Sequence, residues 1–243
     1  MLRAGFLVFI SLLLSACQTF NSASGKVVKP ERIQWEQTNH QCRGEQCSLV
    51  NMDTLVFPKQ PHLNQLITRN LLKMANDEGA NLANRTLEQY SQRFLATAEP
   101  GWQAWLQARV LDQHNSIVSI EFSSYIYTGG AHGMPGRATL IYDWNKQQVI
   151  TLQDMLRPGQ EAAFWELAER AHLRWLDSKN LQQEDPNFLQ QWPFQKTDNI
   201  ALTKYKVQLI YPVYALAPYS SGHPVLDIPK TALLKIFKPE YLR

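Results

Sequence analysis

The sequence predicts an α+β fold, and two observations carry the expectation. Apolar residues at helical spacing dominate residues 63–98, whereas alternation between apolar and polar residues dominates 117–144. Helices and hairpins are therefore segregated rather than interleaved as βαβ units. With 243 residues the chain can build one large domain or two small ones around a real core. The expected architecture is antiparallel sheet regions packed by helices, in two closely joined subdomains that meet near residue 100.

The elements follow in order. Leu63, Leu66, Ile67, Leu71, Met74 and Ala75 share one face of a helix. A second helix opens on a capping box, Thr86 with Gln89, carries Leu87, Tyr90, Phe94 and Ala98 as its stripe, and stops at Pro100-Gly101. Val110 to Asp112 and Ile117 to Tyr127 flank a His114-Asn115-Ser116 turn, with Val118, Ile120, Phe122 and Ile126 on one side. Ala138, Leu140, Tyr142 and Trp144 alternate in the next strand. Phe164, Leu167, Ala171 and Trp175 mark a helix within residues 160–178. Pro186 and Pro193 bound a short helix or loop, Tyr205 to Val213 alternate as a strand, and a last short helix is expected over Thr231 to Phe237.

The N-terminus reads as a lipoprotein signal. Arg3 supplies a positive start, and Ala4 to Leu14 is an apolar run without charge. It is short against the ~20 residues of a spanning helix and fits the core of a signal peptide. Leu14-Ser15-Ala16-Cys17 then places small residues before a cysteine, the pattern of a lipobox. A thiol is required there because diacylglycerol is attached as a thioether before cleavage. Cys17 is the expected lipidation site, and the competing reading is an ordinary signal peptide with a chance cysteine. Gln18 rather than Asp follows, which by resemblance to sorted enterobacterial lipoproteins favours the outer membrane, facing the periplasm. The lipid is the single membrane attachment expected.

Two further cysteines, Cys42 and Cys47, remain. An oxidising compartment favours a disulfide between them, closing a small loop that Gly44 can turn. The spacing is not that of a Cys-x-x-Cys redox pair, and with His40 alone nearby the ligands for a metal are too few. No cofactor is expected. The formal net charge of +3 falls to +2 once Arg3 is removed. With no basic run interleaved with aromatics, nucleic acid is an unsuitable partner.

Two segments could carry chemistry. Tyr125-Ile-Tyr127-Thr128-Gly129-Gly130-Ala-His132-Gly133 pairs glycines with a histidine and two tyrosines; such glycines let main-chain amides approach another surface. Tyr211 to Pro224 is a loop rich in aromatics and hydroxyls, including Tyr214, Tyr219, Ser220 and His223. These two loops are expected to lie together as one ligand surface. One alternative is that His132 pins the glycine turn and the tyrosines merely pack. Another is a cell-wall hydrolase in which His132 and His223 pair, with Asp143 or Asp227 as orienter. No Gly-x-Ser-x-Gly elbow, His-Glu-x-x-His or phosphate loop accompanies them.

The string Tyr127-Thr-Gly-Gly-Ala-His132-Gly133, then Ile150-Thr-Leu-Gln-Asp154-Met-Leu156, then Ala217-Pro-Tyr-Ser-Ser-Gly222 leading to Leu226-Asp-Ile-Pro229, resembles the C-terminal domain of the RsiV family. Those are anti-sigma factors whose extracellular part binds lysozyme, and the same domain accompanies some PdaC-type peptidoglycan deacetylases. The resemblance covers about Ile117 to Leu242, and Cys47 to Ala75 looks like the smaller domain that precedes it. With the N-terminal signal, the chain is expected to divide into four segments: a signal peptide over 1–16, a lipidated N-terminus and tether over 17–40, a PdaC/RsiV-type subdomain over 41–100 and an RsiV-like domain over 101–243. A sigma-binding segment with a transmembrane helix is not found in the sequence, nor is a deacetylase metal set, so no sigma-factor partner is expected. What carries over is a non-enzymatic binding module for peptidoglycan glycan or a lysozyme-like protein, a lysozyme inhibitor being one form of it.

Overall fold

The computed structural model describes residues 27–39, 42–44, 46–75 and 85–243. The expected signal peptide and Cys17 lie outside them. Strand β1 (Glu31–Thr38) pairs antiparallel with β2 (Leu49–Val56). The connection between them is closed by the expected disulfide, Cys42–Cys47, with Cα atoms 5.6 Å apart. Helix α1 (Pro61–Met74) starts on a proline, whose missing N–H costs nothing in a first turn. Helix α2 (Leu87–Thr97) has the reciprocal Thr86–Gln89 capping box that the sequence predicts. The chain then enters β3 (Gln103–His114), β4 (Ile117–Tyr127), β5 (Met134–Asp143) and the short β6 (Gln148–Val149).

These six strands form one sheet in chain order. The expected antiparallel pairing holds except between β2 and β3, which run parallel. A parallel pair needs a crossover, and α1 with α2 supplies it over the face of the sheet. Leu63, Ile67, Leu71 and Leu72 of α1 are buried against Val50, Met52, Leu106, Ile120 and Phe122. Each such side chain stabilises the fold by about 1.5–3 kcal/mol on burial.

The opposite face of β4 and β5 is covered by the C-terminal layer. Helices α3 (Leu152–Met155), α4 (Glu161–Ser178), α5 (Leu181–Glu184) and α6 (Phe188–Gln191) precede a second sheet of β7 (Ile200–Leu202), β8 (Lys206–Ile210) and β9 (Val225–Pro229). Ile117 and Ile141 of the large sheet join Phe164, Leu202, Leu209 and Phe237 in this second core. Polar stitches fix the register of the two sheets. Ser119 Oγ donates to the Leu202 carbonyl at 2.6 Å and accepts its N–H at 3.1 Å, and Asn199 Nδ2 donates to the Arg137 carbonyl at 3.0 Å.

Four expectations are corrected. The tether drawn over 17–40 contains β1, whose Trp35 packs on the first core. The division near residue 100 falls within a continuous sheet, because β2 pairs with β3. The third strand begins at Gln103 rather than Val110. The last helix shrinks to a 3-10 turn, Lys230–Leu233, as Pro229 sets its start. Among the described residues no helix is long and apolar enough to cross a membrane.

Burial has a consequence for acid stability. His172 of α4 is 1% exposed, and its Nε2 has no hydrogen-bond partner among the described residues. Burial holds its proton affinity below the ordinary histidine value of 6.5. The unfolded chain therefore takes up this proton first, so the stability contribution is present above about pH 6.5 and is lost as pH falls. His172→Phe is expected to flatten the fall in Tm between about pH 7 and 5. His114 and His223, also lowered chiefly by burial, preserve the rest of the slope. Parallel slopes in variant and wild type would contradict this.

Candidate functional site

The turn between β4 and β5 is built by its own side chains. Gly129 (φ +95°) and Gly130 (φ +89°) occupy the left-handed region, where side chains with a Cβ are strained. The Tyr127 hydroxyl donates to the Gly130 carbonyl at 3.1 Å, and the Gly133 N–H donates to the Tyr125 hydroxyl at 3.0 Å. Gly133 is needed for a different reason: a Cβ there would sit 2.5 Å from Tyr125 Cζ. His132 Nδ1 lies 3.0 Å from the Gly133 carbonyl; a carbonyl only accepts, so Nδ1 carries a proton.

The C-terminal loop closes on the same spot. Tyr211, 1% exposed, anchors it through a hydroxyl that donates to the Gln195 carbonyl at 2.8 Å. Burial raises the Tyr211 pKa. Tyr214 adopts φ +66° and is exposed. A 3-10 turn, Tyr219–Ser221, follows and is ended by Gly222 at φ +70°. The Tyr219 ring lies 4.3 Å from that of His132, tilted by 30°, and 5.6 Å from that of Tyr214. Its hydroxyl donates to the Gly133 carbonyl at 3.3 Å.

The two loops expected to meet do meet. Tyr127, Gly129, Gly130, His132, Tyr214 and Tyr219 form one surface around Gly133, with Thr128 and Ser220 exposed beside it. His223 takes a separate position: its Nδ1 is 3.1 Å from the Tyr211 carbonyl. Burial lowers its pKa, a shift that the carbonyl opposes and the Arg137 guanidinium reinforces. Neither carboxylate considered as an orienter bonds to a histidine. Asp143 accepts the Asn145 N–H at 2.9 Å, and Asp227 accepts from Lys206 Nζ at 2.5 Å and Gln208 Nε2 at 2.9 Å. Among the described residues no three His, Cys, Asp or Glu side chains converge as metal ligands.

A charged cluster beneath the site is absent from the sequence reading. Glu121, 1% exposed on β4, is paired with both Arg109 of β3 and Arg137 of β5. Its only signal is positional. Arg109 and Glu121 face each other across the hairpin, which requires the strand register.

The molecule is thus an α+β protein in which a mixed six-stranded sheet, a helical layer and a small second sheet bring two aromatic loops together. A crystal structure of a DUF3298 family protein from Pseudomonas aeruginosa PAO1 shares this architecture. It is 48% identical, with a TM-score of 0.82, and the match covers 89% of this chain and 97% of that one. The chain belongs to the DUF3298 family. The family model, described as a protein of unknown function, matches residues 153–231, and a second model, deacetylase PdaC, matches 44–135. A DUF3298 family member from Bacteroides fragilis NCTC 9343 has the same fold at 15% identity, with a TM-score of 0.68 over 88% of this chain and 95% of that one. The curated peptidoglycan-N-acetylmuramic acid deacetylase PdaC of Bacillus subtilis is 25% identical over 137 residues, which is 55% of this chain but 29% of that protein. The PdaC side of the resemblance drawn from the sequence is thereby shown.

Proposed function

We propose that this chain is a lipid-anchored envelope protein, attached through Cys17 to the outer membrane, that binds peptidoglycan glycan without cleaving it. One observation carries the reading: the tilted His132–Tyr219 pair, 4.3 Å apart, with Tyr214 exposed beside it and glycine amides next to it. Aromatic rings offer the apolar face that a sugar ring stacks on, and neighbouring main-chain groups meet its hydroxyls. The PdaC relationship over residues 44–135 supports the cell wall as the setting. Both imidazoles are tied through Nδ1 to carbonyls rather than to a carboxylate, an arrangement that favours recognition over a His132-based hydrolase.

Tyr219→Ala and His132→Ala are expected to weaken binding to purified sacculi by about 1–3 kcal/mol each, roughly 5- to 150-fold, with little change in Tm. Palmitate labelling at Cys17 checks the anchor in the same strain. Variants that bind sacculi as wild type yet lose turnover of wall substrate would establish the hydrolase instead. Capture of lysozyme, lost in the same variants while sacculi are ignored, would transfer the site to an RsiV-like lysozyme binder. Earlier melting with unchanged affinity would leave the two side chains a packing role only.

A further inference from the structure

Strand β3 sends Ala104, Leu106 and Ala108 into the helix-covered core. Side chains alternate along a strand, so Gln103, Trp105, Gln107 and Arg109 project from the other face. Across the ladder, Tyr125 stands opposite Trp105, and Asn51 opposite it on the parallel side. Here the C-terminal layer does not cover the sheet. A depression of about 430 Å3 remains, lined by Gln34, Asn51, Asp53, Trp105, Gln107 and Tyr125.

Its chemistry is specific. Trp105, third residue of β3, is 40% exposed, although a large apolar ring is costly to leave in water, and its Nε1 donates to Gln103 Oε1 at 3.2 Å, which sets the ring's orientation. Asp53 accepts two N–H groups of Arg32 at 2.7 Å and Gln107 Nε2 at 2.6 Å. Asn51 Nδ2 donates to Glu36 Oε2 at 2.9 Å. The Asp53 carboxylate is thus paired with a guanidinium, Glu36 is held by an amide, and the lining sets side-chain amides and hydroxyls beside the Trp105 and Tyr125 rings. Such a floor gives an ion little to pair with, whereas amide and carboxylate edges beside an indole suit hydroxyl and acetamido groups around a sugar's apolar face.

We propose that this sheet face is a second sugar subsite, continuous with the paired loops, with Trp105 as its stacking platform. The ligand class is a linear N-acetylated glycan long enough to span both surfaces. Tyr125 joins them: it lines the depression, and its hydroxyl holds the Gly133 N–H at 3.0 Å. The inference rests on the sugar reading of the loops, but it commits to different residues.

The test uses the whole chain with chitobiose, chitohexaose and purified sacculi as probes. Wild type is expected to bind the hexamer more tightly than the dimer. Trp105→Ala is expected to weaken hexamer binding about tenfold, with dimer affinity and Tm unchanged, and Trp105→Phe to retain most of it. If Trp105→Ala binds both lengths as wild type while Tyr219→Ala loses them, the subsite is refuted and the loop reading stands. If Trp105→Ala alone weakens the hexamer while Tyr219→Ala is neutral, the loop reading falls, and with it a glycan that spans both surfaces, which overturns the proposal. A Trp105→Ala protein that melts earlier and loses both lengths equally has lost packing, which overturns the proposal. Wild type that captures lysozyme and no glycan overturns both.

Discussion

Glu121→Ala is expected to destabilise the protein by about 3–5 kcal/mol, the usual consequence of removing one member of a buried ion cluster. Glu121 is 1% exposed, and the Arg137 side chain beside it is only 23% exposed. Without the carboxylate, Arg137 remains a largely desolvated cation facing Arg109. Burial, followed by the Arg109 charge, lowers the Arg137 pKa, so the guanidinium sits where its charge is poorly solvated. For a chain of this size the loss corresponds to a fall in Tm on the order of 10 °C. The double variant Glu121→Ala/Arg137→Met should recover a large part, because the orphaned charge is then gone. A thermal melt in which the single variant stays within a degree or two of wild type would show that water reaches the cluster.

Gly133→Val is expected to cost about 3 kcal/mol and to abolish the juxtaposition of the two loops, since overpacking a filled position forces side chains or backbone to move. The Cβ would meet the Tyr125 ring at 2.5 Å. That ring cannot simply retreat, because its hydroxyl holds the N–H of the same residue. Gly129→Val makes the useful contrast: a Cβ there meets open space, and the penalty comes from φ +95° alone, about 1–2 kcal/mol. Adding Tyr125→Ala to Gly133→Val should relieve the clash but not the Gly129→Val penalty. Equal melting temperatures for the two single valine variants would argue that backbone strain rather than the ring sets the cost.

The sequence displayed the α1, α2 and α4 faces because each presents a long apolar stripe. It displayed the loop pair because tyrosine, glycine and histidine cluster at two points. Strand β1 was hidden by its composition: Ile33 and Trp35 alternate inside Glu-Arg-Ile-Gln-Trp-Glu-Gln-Thr, a charged edge strand with few apolar markers. The parallel β2–β3 pair was illegible for another reason, since two helices separate strands that touch only in the folded chain. The strand expected over Tyr205 to Val213 is shorter in the fold: Tyr211 and Val213 continue the alternation, yet β8 runs from Lys206 to Ile210 and ends two residues before Pro212. Trp105 reads as one more aromatic until Ala104 and Leu106 are seen entering the core on the other side.

The loop pair has a bearing on how such a chain can be inherited. The glycine turn belongs to the stretch shared with PdaC, residues 44–135, whereas Tyr214 and Tyr219 belong to the stretch shared with the DUF3298 model, residues 153–231. Half of the surface is encoded in each. A recombination event that carried off either stretch alone would transplant an incomplete surface and strip partners from the sheet, because Ser119 is bonded to Leu202 across the same seam. Neither stretch therefore carries a complete copy of the surface, and a fragment cut between them would lose both the paired loops and the Ser119–Leu202 bonds.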